Sequence, residues 1–553
     1  MFNAQKTVLA IAPALAQLLP RYEQSTAWLD EAVAQTNHFV VPVPLVGAFS
    51  SGKSSLLNAY LGTPYFATSL DPETAVPAEI EFAEQESIHG CLRNGRRIPL
   101  THDALRDNAV QELTDGGWVH LRTPAPRLAA VPHLRLVDLP GWDSGLKEHE
   151  QAIDGYAARS LAYVVVVSAD EGNLRSSIRN ALLELKVHQR PVAVVISKSD
   201  KKAPEDVQAV ADTVVREVTQ AIGKAPVGVA IASARKREVE AFASVLATLE
   251  GNAEALYVES VGQPLATQLL GFHSYLQTRI SAANWSGDDI AARLAQQARE
   301  LEAFDRKFRQ ETDMFDRRAM AAADRIVQQV SAALAANADA LAAQVCAGAN
   351  VSGQLGSIIR LAVTQGYHEL FLPELKRYCT DVEHALPEHI VAGMRMPDGP
   401  AGGLFDDLGS LATLAPVVLP LLTMIPVIGP IIAPAMKFIL PLISVVTGGA
   451  MRNALEAQRR EAVMLKLVNE VFRDAAARTR EGIIPPLRKM VEEAKTAIEK
   501  TVAQQRDIQV KALEQARADQ SRQQAEFEAV REQLRADATT TRAMLKDLGV
   551  NVD

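Results

Sequence analysis

Gly47-Ala48-Phe49-Ser50-Ser51-Gly52-Lys53-Ser54-Ser55 has the residue types and spacing of a phosphate cradle, G-x-x-x-x-G-K-[ST]. Glycines at both ends let the backbone wrap with its N–H groups pointing inward. The start of a following helix adds positive potential at the same place. The Lys53 ammonium can reach the β- and γ-phosphates of a nucleoside triphosphate, and the Ser54 hydroxyl can serve a Mg²⁺ ion. The expected contact residues are Gly47, Ser50, Ser51, Gly52, Lys53, Ser54 and Ser55. Taken alone, this loop implies only that a triphosphate binds.

Three further short elements share the order and spacing of a guanine-nucleotide-binding domain. Asp138-Leu139-Pro140-Gly141 fits D-x-x-G, with the Asp138 carboxylate toward Mg²⁺ and the Gly141 N–H toward the γ-phosphate. Ser197-Lys198-Ser199-Asp200 stands where [NT]-K-x-D is expected. A carboxylate at Asp200 accepts from guanine N1–H and the 2-amino group together, a donor pair that adenine lacks. The Lys198 stem would lie over the base. Ser233-Ala234 would supply backbone N–H to guanine O6. The implied ligands are GTP or GDP with Mg²⁺.

Such groups need a frame. Residues 39–46 read as a buried strand and 54–61 as a helix, the context the phosphate loop requires. Residues 63–77 are rich in proline and hydroxyls and are not regular helix. Residues 78–82 alternate like a strand, and Asn94-Gly95 marks a hairpin within 91–98. Residues 133–138 form another strand. Apolar runs at 161–168, 191–197 and 227–233 alternate with helical stretches at 174–187 and 204–222. That pattern predicts an α/β domain over residues 38–250, a mostly parallel sheet with helices on both faces.

The remainder is helical. Residues 4–36 carry Val8, Ile11, Leu15, Leu18 and Leu19 near one face, so residues 1–37 are expected to pack on a helical neck, with the C-terminal helices as natural partners. Residues 251–400 read as neck and trunk, including a long alanine-rich helix over 290–345. Residues 453–553 return. Leu487, Val491, Ala494, Ile498 and Val502 form an apolar seam, and 505–547 read as a polar, solvated arm. Between these blocks, 401–452 is an apolar tip. Residues 408–436 and 438–451 carry no charge, and Pro416, Pro420, Pro426, Pro430, Pro434 and Pro441 punctuate them. Two arms, 408–425 and 431–448, each approach the length of a bilayer core. A membrane-touching tip, an internal core hairpin and a transmembrane hairpin are all open on this pattern.

Bulk composition fits a multidomain, helix-rich chain: 553 residues, 48% hydrophobic, 22% charged and only 5% aromatic. A net charge of -9 argues against a mainly electrostatic nucleic-acid binder, so no nucleic acid is expected. Cys91, Cys346 and Cys379 show neither metal spacing nor a disulfide framework, which points to a reducing compartment. The first residues lack the charged start and cleavage site of a signal peptide.

The sequence resembles the dynamin superfamily, specifically the bacterial dynamin-like proteins. The likeness rests on the phosphate loop with Ser50 and the double serine Ser54-Ser55, on Thr74-Ala75-Val76-Pro77 as switch I, and on the proline of Asp138-Leu139-Pro140-Gly141. By motif it covers residues 47–234; beyond that only the layout matches. The resemblance implies a GTPase with an extended helical-bundle stalk, Ser50 facing the β–γ bridging region, and Thr74 on Mg²⁺ placing the attacking water, with Thr68 a rival for that role. Ser50, Lys53 and Thr74 would be catalytic, and Ser54, Thr74 and Asp138 would hold the metal. It implies pairing through GTPase domains, with a second copy or a related dynamin-like partner, and a lipid contact through 408–450. The expected location is cytoplasmic, on the inner face of a membrane.

Two residues depart from the family pattern. Phe49 stands where eukaryotic dynamins place a catalytic glutamine, and Ser197 replaces Asn or Thr, which is expected to loosen nucleotide affinity. Arg175 and Arg179 give no clear arginine finger, and Arg93/Arg96/Arg97 and Arg235/Lys236/Arg237 read as solvated faces. Two rival readings follow: a slow nucleotide switch or scaffold whose apolar tip is buried in its own bundle, and an ATPase with coiled-coil arms. Asp200 and the switch I pattern disfavour the ATPase.

Overall fold

The computed structural model describes residues 1–48, 50–67, 76–92, 94–106, 111–113, 117–139, 160–175, 178–179, 182, 190–347, 349, 351–387, 390, 456–520 and 524–551. Phe49, Thr68, Thr74, Arg93, Gly141 and the apolar tip over 401–452 lie outside the described residues.

In chain order, α1 (Asn3–Arg21) and α2 (Ala27–Asn37) precede β1 (Val41–Val46), α3 (Lys53–Leu61), β2 (Ala78–Phe82), β3 (Ser87–Cys91) and β4 (Arg97–Pro99). Next come α4 (His102–Arg106), β5 (Trp118–Thr123), α5 (Pro126–Ala129), β6 (Leu134–Asp138), β7 (Tyr163–Ser168) and β8 (Val192–Ser197). The domain closes with α6 (Pro204–Ile222), β9 (Val229–Ile231) and α7 (Glu240–Gly251). Among the described residues the strands make one sheet in the order β4-β3-β5-β2-β6-β1-β7-β8-β9. The β6-β1-β7-β8-β9 half is parallel throughout. The other half is mixed: β2 runs antiparallel to β6 but parallel to β5, and β3 is antiparallel to β5 and β4.

Both faces of the parallel half are covered, which is why its strands read as continuous apolar runs. Along β7, Val164 and Val166 join Leu56, Tyr60 and Phe242 from α3 and α7. The alternate residues Tyr163, Val165 and Val167 join Val207, Val214 and Val218 from α6. Pro42 and Pro44 sit in central β1, where prolines normally break a ladder. Val41 N–H bonds toward β6, to His133 O at 2.7 Å. By the alternation of a strand, the two prolines face β7, and the β1–β7 ladder is confined to Leu45 and Val46.

The helical part begins with α8 (Ala253–Tyr257) and α9 (Gln263–Ala282), joined by a π turn at Val258–Gly262. The 50-residue α10 (Gly287–Ala336) starts with a capping box: Asp289 N–H donates to Ser286 Oγ at 3.1 Å, and Ser286 N–H donates to Asp289 Oδ2 at 3.0 Å. Then follow α11 (Ala338–Cys346), α12 (Ser352–Gly366), α13 (Leu372–Ala385), α14 (Glu456–Lys466), the 48-residue α15 (Arg473–Gln520) and α16 (Gln524–Asp547). In the trunk, Phe315, Ile326 and Val330 of α10 pack with Ile359 and Tyr378, and with Leu487, Val491, Ala494, Ile498 and Val502 of α15. No described helix is long and apolar enough to cross a membrane.

The neck corrects one expectation. Residues 505–547 are not a solvated arm: α16 turns back and buries Leu534, Ala538 and Leu545 against Leu15 and Leu19 of α1 and Leu269 and Leu276 of α9. The N-terminal stretch is also two helices rather than one, turning at Glu23 with φ 56°. Under this core, the Arg279 guanidinium is paired with Asp519 and lies 5.6 Å from the Tyr22 ring centroid and 5.8 Å from that of Tyr275. Both charged side chains are almost fully buried. Asp519→Ala leaves that cation without its carboxylate and is expected to cost about 3–5 kcal/mol. A lowered urea midpoint checks this; an unchanged midpoint contradicts it.

Candidate functional site

The site forms at the carboxyl ends of the parallel strands, where open α/β sheets place ligands. The β1–β6 register sets Leu45 opposite Asp138, so the end of β6 stands beside the loop that leaves β1. That loop is tightly built. A Cβ on Gly47 would come within 2.4 Å of the Val166 carbonyl oxygen, which no side chain tolerates. Ser50 and Gly52 take left-handed conformations at φ 63° and 91°, and α3 starts at Lys53, aiming its N-terminus into the loop. Lys53 is buried and donates to the Gly47 and Ala48 carbonyls, each at 3.2 Å.

Ser54 Oγ donates to Asp138 Oδ2 at 2.6 Å. The other oxygen, Asp138 Oδ1, is shut off from solvent without a hydrogen-bond partner. Burial pushes the Asp138 carboxyl pKa up, against the opposing pull of the Ser54 hydroxyl and the Lys53 ammonium. A hydroxyl and an under-satisfied carboxylate side by side form the hard oxygen donor set that suits Mg²⁺.

A second set of residues grips the loop from β8. Ser197 Oγ donates to the Ser51 carbonyl and, at 3.3 Å, to the Val167 carbonyl. Lys198 adopts φ 55° and turns back so that its Nζ donates to the Ser50 carbonyl at 2.6 Å. Such a conformation is unusual for a residue with a side chain. Serine is shorter than asparagine, yet its hydroxyl ties the phosphate loop to the sheet.

Asp200 and Ser233 meet beyond this tie. Ser233 Oγ donates to Asp200 Oδ1 at 2.6 Å and holds the Asp200 carboxyl below the ordinary carboxylate pKa. Asp200 is therefore an ionised acceptor. Ser199 N–H bonds the Ala232 carbonyl at 3.2 Å, joining the two elements by backbone as well. A cavity of about 490 Å³ opens here, with Gly52, Ser55, Lys198, Asp200, Ala234 and Arg235 in its walls. Arg235, Lys236 and Arg237 are exposed, as a solvated basic face is, and Arg235 and Arg237 border the cavity. Arg175 and Arg179 pair with Glu171 and Glu217, as surface arginines do.

An anion-cradling loop, a carboxylate–hydroxyl pair and a cavity with an ionised acceptor on the parallel half of one sheet define a P-loop nucleotide-binding domain. Residues 43–199 match the family model described as Dynamin family. Over those residues the nucleotide domain is similar to that family. Over 116 residues the chain is 29% identical to Dynamin-like protein 2 of Campylobacter jejuni, an alignment spanning 21% of this chain and 19% of that protein. The match therefore covers about a fifth of that relative's length. A solved oligomerised bacterial dynamin pair, described as a mechanism for long-range sensing and tethering of membranes, matches at 12% identity and a TM-score of 0.39. It covers 99% of this chain and 82% of that one. Aquifex aeolicus Era bound to GDP and aluminium fluoride matches at 20% identity and a TM-score of 0.24, over 38% of this chain and 56% of that chain.

Proposed function

We propose that this protein binds GTP with Mg²⁺, hydrolyses it, and couples the cycle to movement of its helical stalk and to a membrane. The observation that carries the reading is the Ser233-held, ionised Asp200 in a cavity that opens beside the phosphate loop. That acceptor matches guanine's paired donors. The reaction is in-line attack of water on the γ-phosphorus, with charge spreading over phosphoryl oxygens. Lys53 and the backbone N–H groups of residues 50–55 would neutralise that charge. Ser54 and Asp138, with Thr74, would hold Mg²⁺, which would supply positive charge against the phosphate oxygens. Phe49 has no group to orient water, so Thr74, the loop backbone or a partner subunit must place it. Phe49 also favours a second reading, a slow nucleotide switch with the helices as scaffold.

Pairing through the nucleotide domains would make the specific hydrolysis rate rise with protein concentration. A scaffold with negligible turnover would show no such rise. The apolar stretch over 408–450 supports a lipid contact. Floating the full chain on anionic liposomes tests it: wild type is expected to float, and Ile425→Glu with Ile428→Glu to stay with the soluble fraction. Equal flotation would remove the membrane part and leave the nucleotide part standing.

A further inference from the structure

Ser197 ends β8 in the cavity wall between Asp200 and the phosphate loop. A Cβ on Gly52 would stand 3.7 Å from Ser197 Oγ and 3.6 Å from Lys198 Cε, so both residues lie against the loop. Ser197 is buried, and so is Ser51, whose carbonyl it holds. Lys198 Nζ holds the preceding carbonyl, that of Ser50. Two successive loop carbonyls are thus fixed from the end of β8. This aims the intervening N–H groups before an anion arrives, as a preorganised cradle requires. The fixing has a consequence for the base. A serine hydroxyl carries one proton. Here that proton goes to the Ser51 carbonyl, with the Val167 carbonyl as a second acceptor at 3.3 Å. An asparagine carries two amide protons, so it could hold a loop carbonyl with one and offer the other to a base; a serine cannot. Guanine O6 and N7 are neighbouring acceptors. With N1–H and the 2-amino group on Asp200 and O6 toward Ser233-Ala234, N7 comes next on the edge that runs toward the loop, the side on which Ser197 stands.

We infer that Ser197 is a positioning residue for the phosphate loop and leaves guanine N7 unread, so that the site takes 7-deazaguanine nucleotides as readily as guanine ones. The inference rests on the GTP reading above. It divides the work of one short element: Asp200 selects the base by its N1 and 2-amino donors, while Ser197 serves the phosphate end. A residue that only stabilises the fold would affect every guanine nucleotide alike. A residue that braces the loop affects those with a β-phosphate for the loop to hold, and affects GMP little. A residue that reads the base would separate guanine from 7-deazaguanine, where a C–H replaces the N7 acceptor.

The test measures competition by GDP, 7-deaza-GDP and GMP against a fluorescent guanine nucleotide, on full-length wild type and Ser197→Ala, with thermal unfolding of each. Wild type is expected to bind GDP and 7-deaza-GDP within about twofold of each other, whereas a hydrogen bond to N7 would separate them by about fivefold or more. This comparison needs no variant, so it stands even if Ser197→Ala does not fold. Folded Ser197→Ala leaves the buried Ser51 carbonyl without that donor. It is expected to weaken GDP and 7-deaza-GDP by the same factor, about tenfold, and GMP by less than about twofold. A fivefold preference of wild type for GDP over 7-deaza-GDP would overturn the inference. So would equal losses of GDP and GMP in Ser197→Ala, or unchanged GDP binding by the folded variant. Wild type that binds no guanine nucleotide would instead bring down the GTP reading, and the inference with it.

Discussion

Lys53→Ala is expected to abolish GTP turnover. The side chain is buried at the first residue of α3, its ammonium held by the Gly47 and Ala48 carbonyls. Those two carbonyls open the loop, so a β,γ-phosphate pair filling the cradle would meet the same ammonium. Removing it takes a compact positive side chain from the place where charge develops. The loss is expected to be at least about a thousandfold in rate, the upper end for deleting a single preorganised donor. Phosphate release in a clean preparation checks this, with circular dichroism to show that the sheet is intact. Turnover that survives would mean the chemistry lies elsewhere.

The second large effect is on the base. Asp200 presents two acceptor oxygens, one steadied by Ser233. Asp200→Asn keeps the shape but turns one acceptor into a donor, which then faces guanine's 2-amino group. Sites built to pair a polar edge reject the mismatched one strongly. Guanine nucleotides are expected to weaken by about a hundredfold or more. Xanthine carries a carbonyl where guanine carries that amino group, so xanthosine nucleotides are expected to gain. Competition among GTP, XTP and ATP on wild type and variant gives the answer. A variant that keeps its guanine preference would remove Asp200 from the base site.

The phosphate loop was legible because its constraints are local: two glycines, a lysine and a hydroxyl fixed by a backbone that must wrap an anion. Asp138 could be picked out because it ends one run of buried apolar residues, and Asp200 because it stands three residues beyond another. The parallel half of the sheet followed from the same runs. What was hidden depends on partners distant in sequence. α16 is polar enough to read as solvated, and only its packing on α1 and α9 shows that Leu534, Ala538 and Leu545 are a seam. β5 escaped notice although Val119 and Leu121 alternate with polar residues, and it inserts between β2 and β3. Pro42 and Pro44 read as part of an ordinary strand, and their effect shows only in the short β1–β7 ladder. Ser197 read only as a departure in the base element, and its bond to the Ser51 carbonyl shows only in the structure.

Phosphate release from GTP and from ATP by the full-length protein, with Mg²⁺ and over a range of protein concentrations, tests the central claim most directly. The account predicts release from GTP but not ATP, a specific rate that climbs with concentration, and no release above background from Lys53→Ala. Equal release from both nucleotides, or from Lys53→Ala at the wild-type rate, would contradict it.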